Sequence, residues 1–214
     1  MNIAILGTGN VGQALGASLG KAGHQVTLTS RDAGKAQIAA TAVGASSSDY
    51  ATAVAAADIV IVAVPFGAIE GVAAEIAPYV TGKVVVDATN PLKADYSGLA
   101  TEGGPSGGER LAALLPGARI VKAFNTLFAG IQGNPDTHGQ QLDALYATDD
   151  GAAASAVAAI ATSIGFRAVR VGPLAASREL ESLAWLNIRL QLISNGAWQS
   201  SYVLVGAPES STAG

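Results

Sequence analysis

Residues 1–30 read MNIAILGTGNVGQALGASLGKAGHQVTLTS. The segment Asn2–Leu6 is a short apolar run that stops at Gly7. Val11, Ala14, Leu15, Leu19 and Ala22 then recur mostly at i, i+4, i+8, the ridge of one helix face, and Gly23 follows as a stop. From Gln25 to Ser30 the pattern alternates, with Val26 and Leu28 on one side and Thr27 and Thr29 on the other, as in a strand. The order is therefore strand, loop, helix, strand. The loop, Gly7-Thr8-Gly9-Asn10-Val11-Gly12, fits G-x-G-x-x-G. Glycine is abundant in this chain, so the pattern gains its meaning from its place between a strand and a helix. Gly7 permits the tight turn, Gly9 lets the backbone approach a pyrophosphate, and Gly12 lets the helix pack closely on the sheet. The helix N-terminus adds unpaired N–H groups and the positive end of a dipole.

The same alternation continues along the chain. Lys35–Val43 reads as an alanine-rich helix, Ala45–Tyr50 as a Ser-rich loop, and Ala51–Ala57 as a short helix. Asp58–Val64 is a continuous β-branched run, as in a strand buried on both faces, and Pro65 ends it. Ile69–Pro78 is helical, Lys83–Ala88 a second buried strand, Gly98–Gly108 a loop, and Glu109–Leu115 a short helix. Arg119–Phe124 is a strand, Asp143–Ala147 a weaker one, Ala152–Ile164 a helix, and Arg167–Val171 a strand. Ala175 to about Val205 is mostly helical, broken at Gly196. The expected fold is α/β: a Rossmann-type, mostly parallel sheet with helices on both faces, plus a small helical C-terminal lobe. Residues 1–171 would bind the dinucleotide, and residues 172–214 would form the lobe. Ligands of such sheets bind at the strand carboxyl ends. Four of these ends share small, polar or turn-forming residues: Gly7-Thr8-Gly9, Val64-Pro65-Phe66, Ala88-Thr89-Asn90-Pro91 and Phe124-Asn125-Thr126.

Composition narrows the function. The chain has 214 residues, which fits one domain or one domain plus a small lobe. Its 26 glycines and 44 alanines favour close helix-on-sheet packing. Twelve basic against 16 acidic residues leave a net charge of −4, and no basic cluster interrupts it, which argues against nucleic acid. There is no cysteine, so disulfides, thiolate nucleophiles and Cys-based metal sites are excluded. With two histidines, His24 and His138, a multi-His metal site would need a second subunit. The apolar runs fall well short of the roughly 20 residues that cross a bilayer, and no signal segment opens the chain, so no membrane role and a cytoplasmic location are expected.

The end of the second strand distinguishes cofactors. Sites for NAD place a carboxylate there to bind the ribose 2′-hydroxyl. This chain has Ser30-Arg31, with Lys35 one turn on; a hydroxyl, a guanidinium and an ammonium suit a 2′-phosphate, so NADP(H) is expected. Asp32 either pairs with Arg31 or points away. His24 reads as a turn residue, His138 as a surface residue, and Asp149-Asp150 as a helix start. Asp87 is either a ligand contact or a hydrogen-bonded structural carboxylate. Lys122 is either a proton donor or a lysine snorkelling out of an apolar strand. No residue is assigned as catalytic acid or base, and none as a metal ligand. Reducing a ketone or imine needs a proton as well as a hydride. Hydride exchange between nicotinamide and another redox ring needs only stacking and the exclusion of water, and that task fits better.

Gly7-Thr8-Gly9-Asn10-Val11-Gly12, Ser30-Arg31 with Lys35, Val64-Pro65 and the late Val171-Gly172-Pro173-Leu174, Ser177-Arg178 and Glu181-Ser182-Leu183 together resemble the NADPH-dependent coenzyme F420 reductases over nearly the whole chain. Val121-Lys122-Ala123-Phe124-Asn125-Thr126 is also similar to the cytosolic oxidoreductase domain of the STEAP metalloreductases. The resemblance implies that Thr8, Gly9, Asn10 and Val11 bind the pyrophosphate and that Ser30, Arg31 and Lys35 bind the 2′-phosphate. It implies further that Val64, Pro65 and Phe66 line the path to the nicotinamide. The second ring, F420, FMN or FAD, would lie near Asn90, Pro91, Leu92, Asn125, Thr126 and Leu127. Archaeal F420 reductases carry a His where this chain has Asn125, and the Asn-Thr pair is the metalloreductase version, which brings FMN or FAD, and Fe(III) as terminal acceptor, into consideration. The alternatives are an NADPH-dependent reductase of a small imine or carbonyl substrate and a non-catalytic NADPH-binding sensor. Leu180, Leu183, Leu186, Leu190 and Ile193 form an apolar stripe broader than a lone surface helix needs, so a homodimer that helps close the ring site is expected.

Overall fold

The computed structural model describes residues 1–101, 103–136 and 138–206; the C-terminal tail beyond Gly206 lies outside them. Eight strands form one sheet: β1 (Asn2–Leu6), β2 (Gln25–Thr29), β3 (Ser46–Ser47), β4 (Ile59–Val62), β5 (Val84–Asp87), β6 (Arg119–Ala123), β7 (Asp143–Ala147) and β8 (Arg167–Gly172). Their spatial order is β3-β2-β1-β4-β5-β6-β7-β8. Neighbours are parallel except β6 and β7, so β7 and β8 run against the other six. The sheet is thus mostly parallel and Rossmann-like.

Among the described residues eight α-helices cover it: α1 (Asn10–Lys21), α2 (Ala33–Val43), α3 (Tyr50–Ala56), α4 (Ile69–Ile76), α5 (Gly107–Leu114), α6 (Ala129–Gly133), α7 (Gly151–Ser163) and α8 (Ser177–Ser194). Strand alternation divides the core. Ile3, Ile5, Ile59, Ile61, Val84 and Val86 pack on one face, with residues of α1, α2, α6 and α7. Ala4, Leu6, Val60, Val62 and Val85 pack on the other, with α3, α4 and α5. Leu180 of α8 joins Leu145 and Ala147 of β7 on that second side. The uninterrupted β-branched runs in β4 and β5 are buried on both faces, as the sequence implied.

Some boundaries differ from the sequence reading. Helix α2 begins two residues earlier because the Asp32 carboxylate accepts from Lys35 N and caps it. The Ser-rich loop contains strand β3, and α6 appears after the fourth strand end, where no helix was expected. Ala22 is exposed; Gly12, Gly16 and Ser18 join Leu15 and Leu19 on the buried side of α1. The last helix stops at Ser194 instead of continuing to about Val205. Asn195 takes a left-handed conformation at φ 48°, and the chain then turns back along α8. There Trp198 N donates to Gln191 Oε1 at 2.9 Å, and Gln191 Nε2 donates to Ser200 Oγ at 2.8 Å.

Candidate active site

Helix α1 starts at the carboxyl edge of β1, and its N-terminus is bare. Gly9 is the N-cap, no side chain caps it, and its first turn has no acidic residue. Asp32, Asp49, Ser106 and Asp150 accept from backbone N–H groups at the starts of α2, α3, α5 and α7, whereas α4, α6 and α8, like α1, have no side-chain cap. The first N–H groups of α1 therefore face outward at an exposed turn. Its glycines are required at different points. Gly7 sits at φ 128°, and a Cβ there would lie 2.2 Å from the Ala63 carbonyl oxygen. A Cβ on Gly12 would lie 2.1 Å from the Gly7 carbonyl oxygen. A Cβ on Gly9 would meet nothing within 4 Å, so the space in front of it is open. Gln13 Nε2 donates to the Thr8 carbonyl at 2.8 Å and steadies the turn.

At the end of β2, the Ser30 hydroxyl donates to the Asp32 carbonyl at 2.7 Å and accepts from Asp32 N at 3.1 Å. The Asp32 carboxylate is turned into its own helix, where Oδ1 accepts from Lys35 N at 3.1 Å. Of the two arrangements open to Asp32, it therefore takes the one that points away from Arg31. Arg31 and Lys35 extend into solvent beside the α1 edge. At the end of β4, Val64 and Pro65 lead into a 3₁₀ turn, Phe66–Ala68. The Phe66 ring lies under the Arg110 guanidinium, 5.6 Å from its centroid.

The ends of β5 and β6 are built differently. Asp87 and Lys122 are register partners on these neighbouring strands. Both are fully buried, at 0% exposure, and Glu181 of α8 is buried with them at 1%. Lys122 Nζ donates to Asp87 Oδ2 at 2.9 Å and to the Thr89 carbonyl at 2.7 Å, and lies 2.8 Å from Glu181 Oε1. Asp87 Oδ1 accepts from Thr89 N at 2.9 Å. The Glu181 carboxylate accepts from Gly107 N at 3.1 Å and Gly108 N at 3.3 Å, at the start of α5. Lys122 thus does not snorkel: its three donors are each committed to an oxygen inside the protein. Asp87 is a hydrogen-bonded carboxylate turned inward.

Just beyond this cluster, Asn125 Nδ2 donates to Asn90 Oδ1 at 3.0 Å and to the Leu180 carbonyl at 3.1 Å. Asn90 Nδ2 returns a bond to the Asn125 carbonyl at 2.8 Å. Phe124, between strand and asparagine, holds a left-handed φ of 64°, a strained state for a bulky residue. The buried Gln132 of α6 stabilises that turn by donating to the Phe124 and Leu127 carbonyls, both at 2.9 Å. Leu127 packs into the core beside Val121 and Phe124, and Thr126 is buried with it. Asn90 and Leu92 are partly exposed, and Pro91 is buried. The fold thus brings the four predicted strand ends to one edge of the sheet. His24 and His138 stand apart from these four ends, bonded to Ser163 and Gln199. Sequence reasoning gave no role to Gln132 or the paired glycines Gly107 and Gly108, and met Glu181 only inside a family motif. The available signal was an acid and a lysine at matching places in adjacent strands.

The family model for coenzyme F420-dependent NADP oxidoreductases matches residues 2–91, from β1 to just past β5. An F420-dependent NADP reductase from Methanothermobacter thermautotrophicus is 34% identical, the match covering 90% of each chain. The metalloreductase STEAP3 of Rattus norvegicus is 29% identical over 85% of this chain, which spans 36% of that protein. A crystal structure from Arthrobacter sp. FB24, assigned as an F420-dependent NADP-reductase, superposes with a TM-score of 0.86 at 27% identity, covering 95% of this chain and 99% of that one.

Proposed function

The chain belongs to the coenzyme F420-dependent NADP oxidoreductase family, and from that premise we propose that it exchanges a hydride between NADP(H) and a flavin-type ring, with deazaflavin F420 as the leading partner. The observation that carries this reading is the bare N-terminus of α1 behind the open space at Gly9, with Arg31 and Lys35 exposed just past the end of the neighbouring strand β2. Thr8, Gly9, Asn10, Val11 and Gly12 would hold the pyrophosphate on backbone N–H groups. Arg31 and Lys35 would take the 2′-phosphate, while the Asp32 carboxylate is engaged in capping α2. Val64, Pro65 and Phe66 would guide the nicotinamide toward the β5 and β6 ends, where Asn90, Pro91, Leu92 and Asn125 would border the second ring. Thr126 and Leu127 support that border from the core side. The committed donors of Lys122 favour ring-to-ring exchange, because no free ammonium is left there to protonate a substrate. When bound, the two rings supply the redox chemistry; the protein's task is to stack them and keep water out.

The similarity to STEAP3, together with the resemblance of Asn125-Thr126 to the metalloreductases, favours a second reading in which FMN or FAD accepts the hydride and passes electrons to Fe(III). Anaerobic oxidation of NADPH with F420, FMN and FAD in turn, with NADH as control, tests both. Turnover with F420 alone supports the first reading. Turnover with FMN or FAD and subsequent Fe(III) reduction supports the second. NADPH binding without any accepting ring overturns both and leaves a small-substrate reductase or a sensor.

Pairing of two copies belongs to the same proposal. Leu186, Leu190 and Ile193 of α8 are exposed, Ile193 at 75%. They continue an apolar groove that includes Leu145, Val171, Ala176 and Leu183. Light scattering at micromolar concentration should report a dimer, and a monomer there ends this part of the reading.

A further inference from the structure

We propose that Asp87, Lys122 and Glu181 act as a positioning clasp for the asparagine pair Asn90 and Asn125, and so set the affinity for the second ring without touching it. The inference rests on the hydride-exchange reading for the identity of that ring.

The cluster joins four elements at one point: the end of β5, β6, the start of α5 and α8. Two carboxylates share one ammonium, and the N–H groups of Gly107 and Gly108 at the α5 N-terminus meet the remaining negative charge. A buried ion cluster is seldom the most stable filling of a core; apolar replacements of similar volume often do as well or better. What ions add is directional geometry. Here the directions are set by two short chain steps. Lys122 grips the Thr89 carbonyl, one residue before Asn90. Glu181 fixes α8 so that the neighbouring Leu180 carbonyl meets Asn125 Nδ2. The asparagine side chains are oriented by the same bonds: reversing the Asn125 amide would aim its oxygen at Asn90 Oδ1 and at the Leu180 carbonyl, both acceptors. The strained Phe124 turn is held separately, by Gln132.

The test uses the full chain. Lys122→Met leaves two carboxylates without a counter-charge, so its companion is the charge-balanced triple variant Asp87→Asn, Lys122→Met, Glu181→Gln. Lys122→Arg keeps the charge but not the three-way geometry. NADPH affinity is read by its own fluorescence, and affinity for F420 or FMN by theirs. The triple variant should weaken the ring about tenfold or more while NADPH binding stays within about twofold, the loss expected when supporting hydrogen bonds are removed behind a site. Lys122→Arg should recover only part of it. A crystal structure of the triple variant should show the Asn125–Asn90 bond broken. Equal losses for both ligands would reduce the cluster to general stability, and an unmoved asparagine pair would overturn the proposal whatever the rings do. Failure of the wild-type chain to bind any ring would count against the hydride-exchange reading alone, since the asparagine geometry is still read from the crystal.

Discussion

The edge at β1 and the edge at β5 and β6 do the work of site-building in opposite ways. At β1 the site is made of backbone: three glycines, a bare helix start and open space. At β5 and β6 it is made of side chains: buried ions, two asparagines and a glutamine that supports a strained turn. The first arrangement is local, since the short stretch from Gly7 to Gln13 carries it. The second brings together segments far apart in the chain. A backbone site tolerates change wherever no Cβ collides, whereas a side-chain network is only as good as its least satisfied member.

Substitutions at the two edges should differ most in stability. Lys122→Met strands two buried carboxylates and should cost about 3–5 kcal/mol in chemical denaturation at neutral pH. A loss below about 1 kcal/mol would mean the network relaxes as easily as a surface. Gly7→Ala comes next at about 2–4 kcal/mol, because the clash is with backbone and the φ is unfavourable; here stability and NADPH binding should fall together. Arg31→Ala should leave stability within about 0.5 kcal/mol and weaken NADPH about 10- to 100-fold without affecting NADH. Fluorescence titration of both nucleotides reads the difference. Gly9→Ala should also spare stability but weaken NADPH about tenfold; unchanged binding would move the pyrophosphate elsewhere and dissolve the contrast.

The smallest effect lies at the rim. Glu109 accepts a two-pronged bond from Arg178, at 2.9 Å on each oxygen, and this lowers its pKa from 4.5 to about 2. A depressed carboxyl pKa contributes stability above the unfolded value and loses it as pH falls through the folded one. Glu109→Gln should therefore cost less than about 1 kcal/mol at pH 7, as exposed pairs do. The difference from wild type should shrink as pH falls from 4.5 toward 2, the two values that bound this group's titration. Paired denaturation curves at the two ends of that range check it.

The same contrast explains what could be read in advance. The glycine turn, the buried strands and the basic end of β2 were legible because their signals lie within a few residues. The Asp87–Lys122 pair was half legible: both residues were noticed, yet separately, since pairing needs the strand order and register. Glu181 stood out only as part of a family motif, and its partner is known only once α8 is seen against β6. The overlong last helix has a similar cause. Trp198 and Val203 continue an apolar pattern, but Trp198 stacks edge-on with Phe128 at 5.3 Å and Val203 packs on the core after the chain reverses. Periodicity alone does not reveal such a reversal.

Helix α8 presents Glu181 inward to the ion cluster and Leu186, Leu190 and Ile193 outward. If two copies join through that outer stripe, as proposed, association and ring binding would draw on the same rigid rod. Thermodynamic reciprocity then applies: whatever factor ring binding adds to the association constant, association adds to ring affinity. The concentration of the protein itself would act as an effector, and dilution as its antagonist.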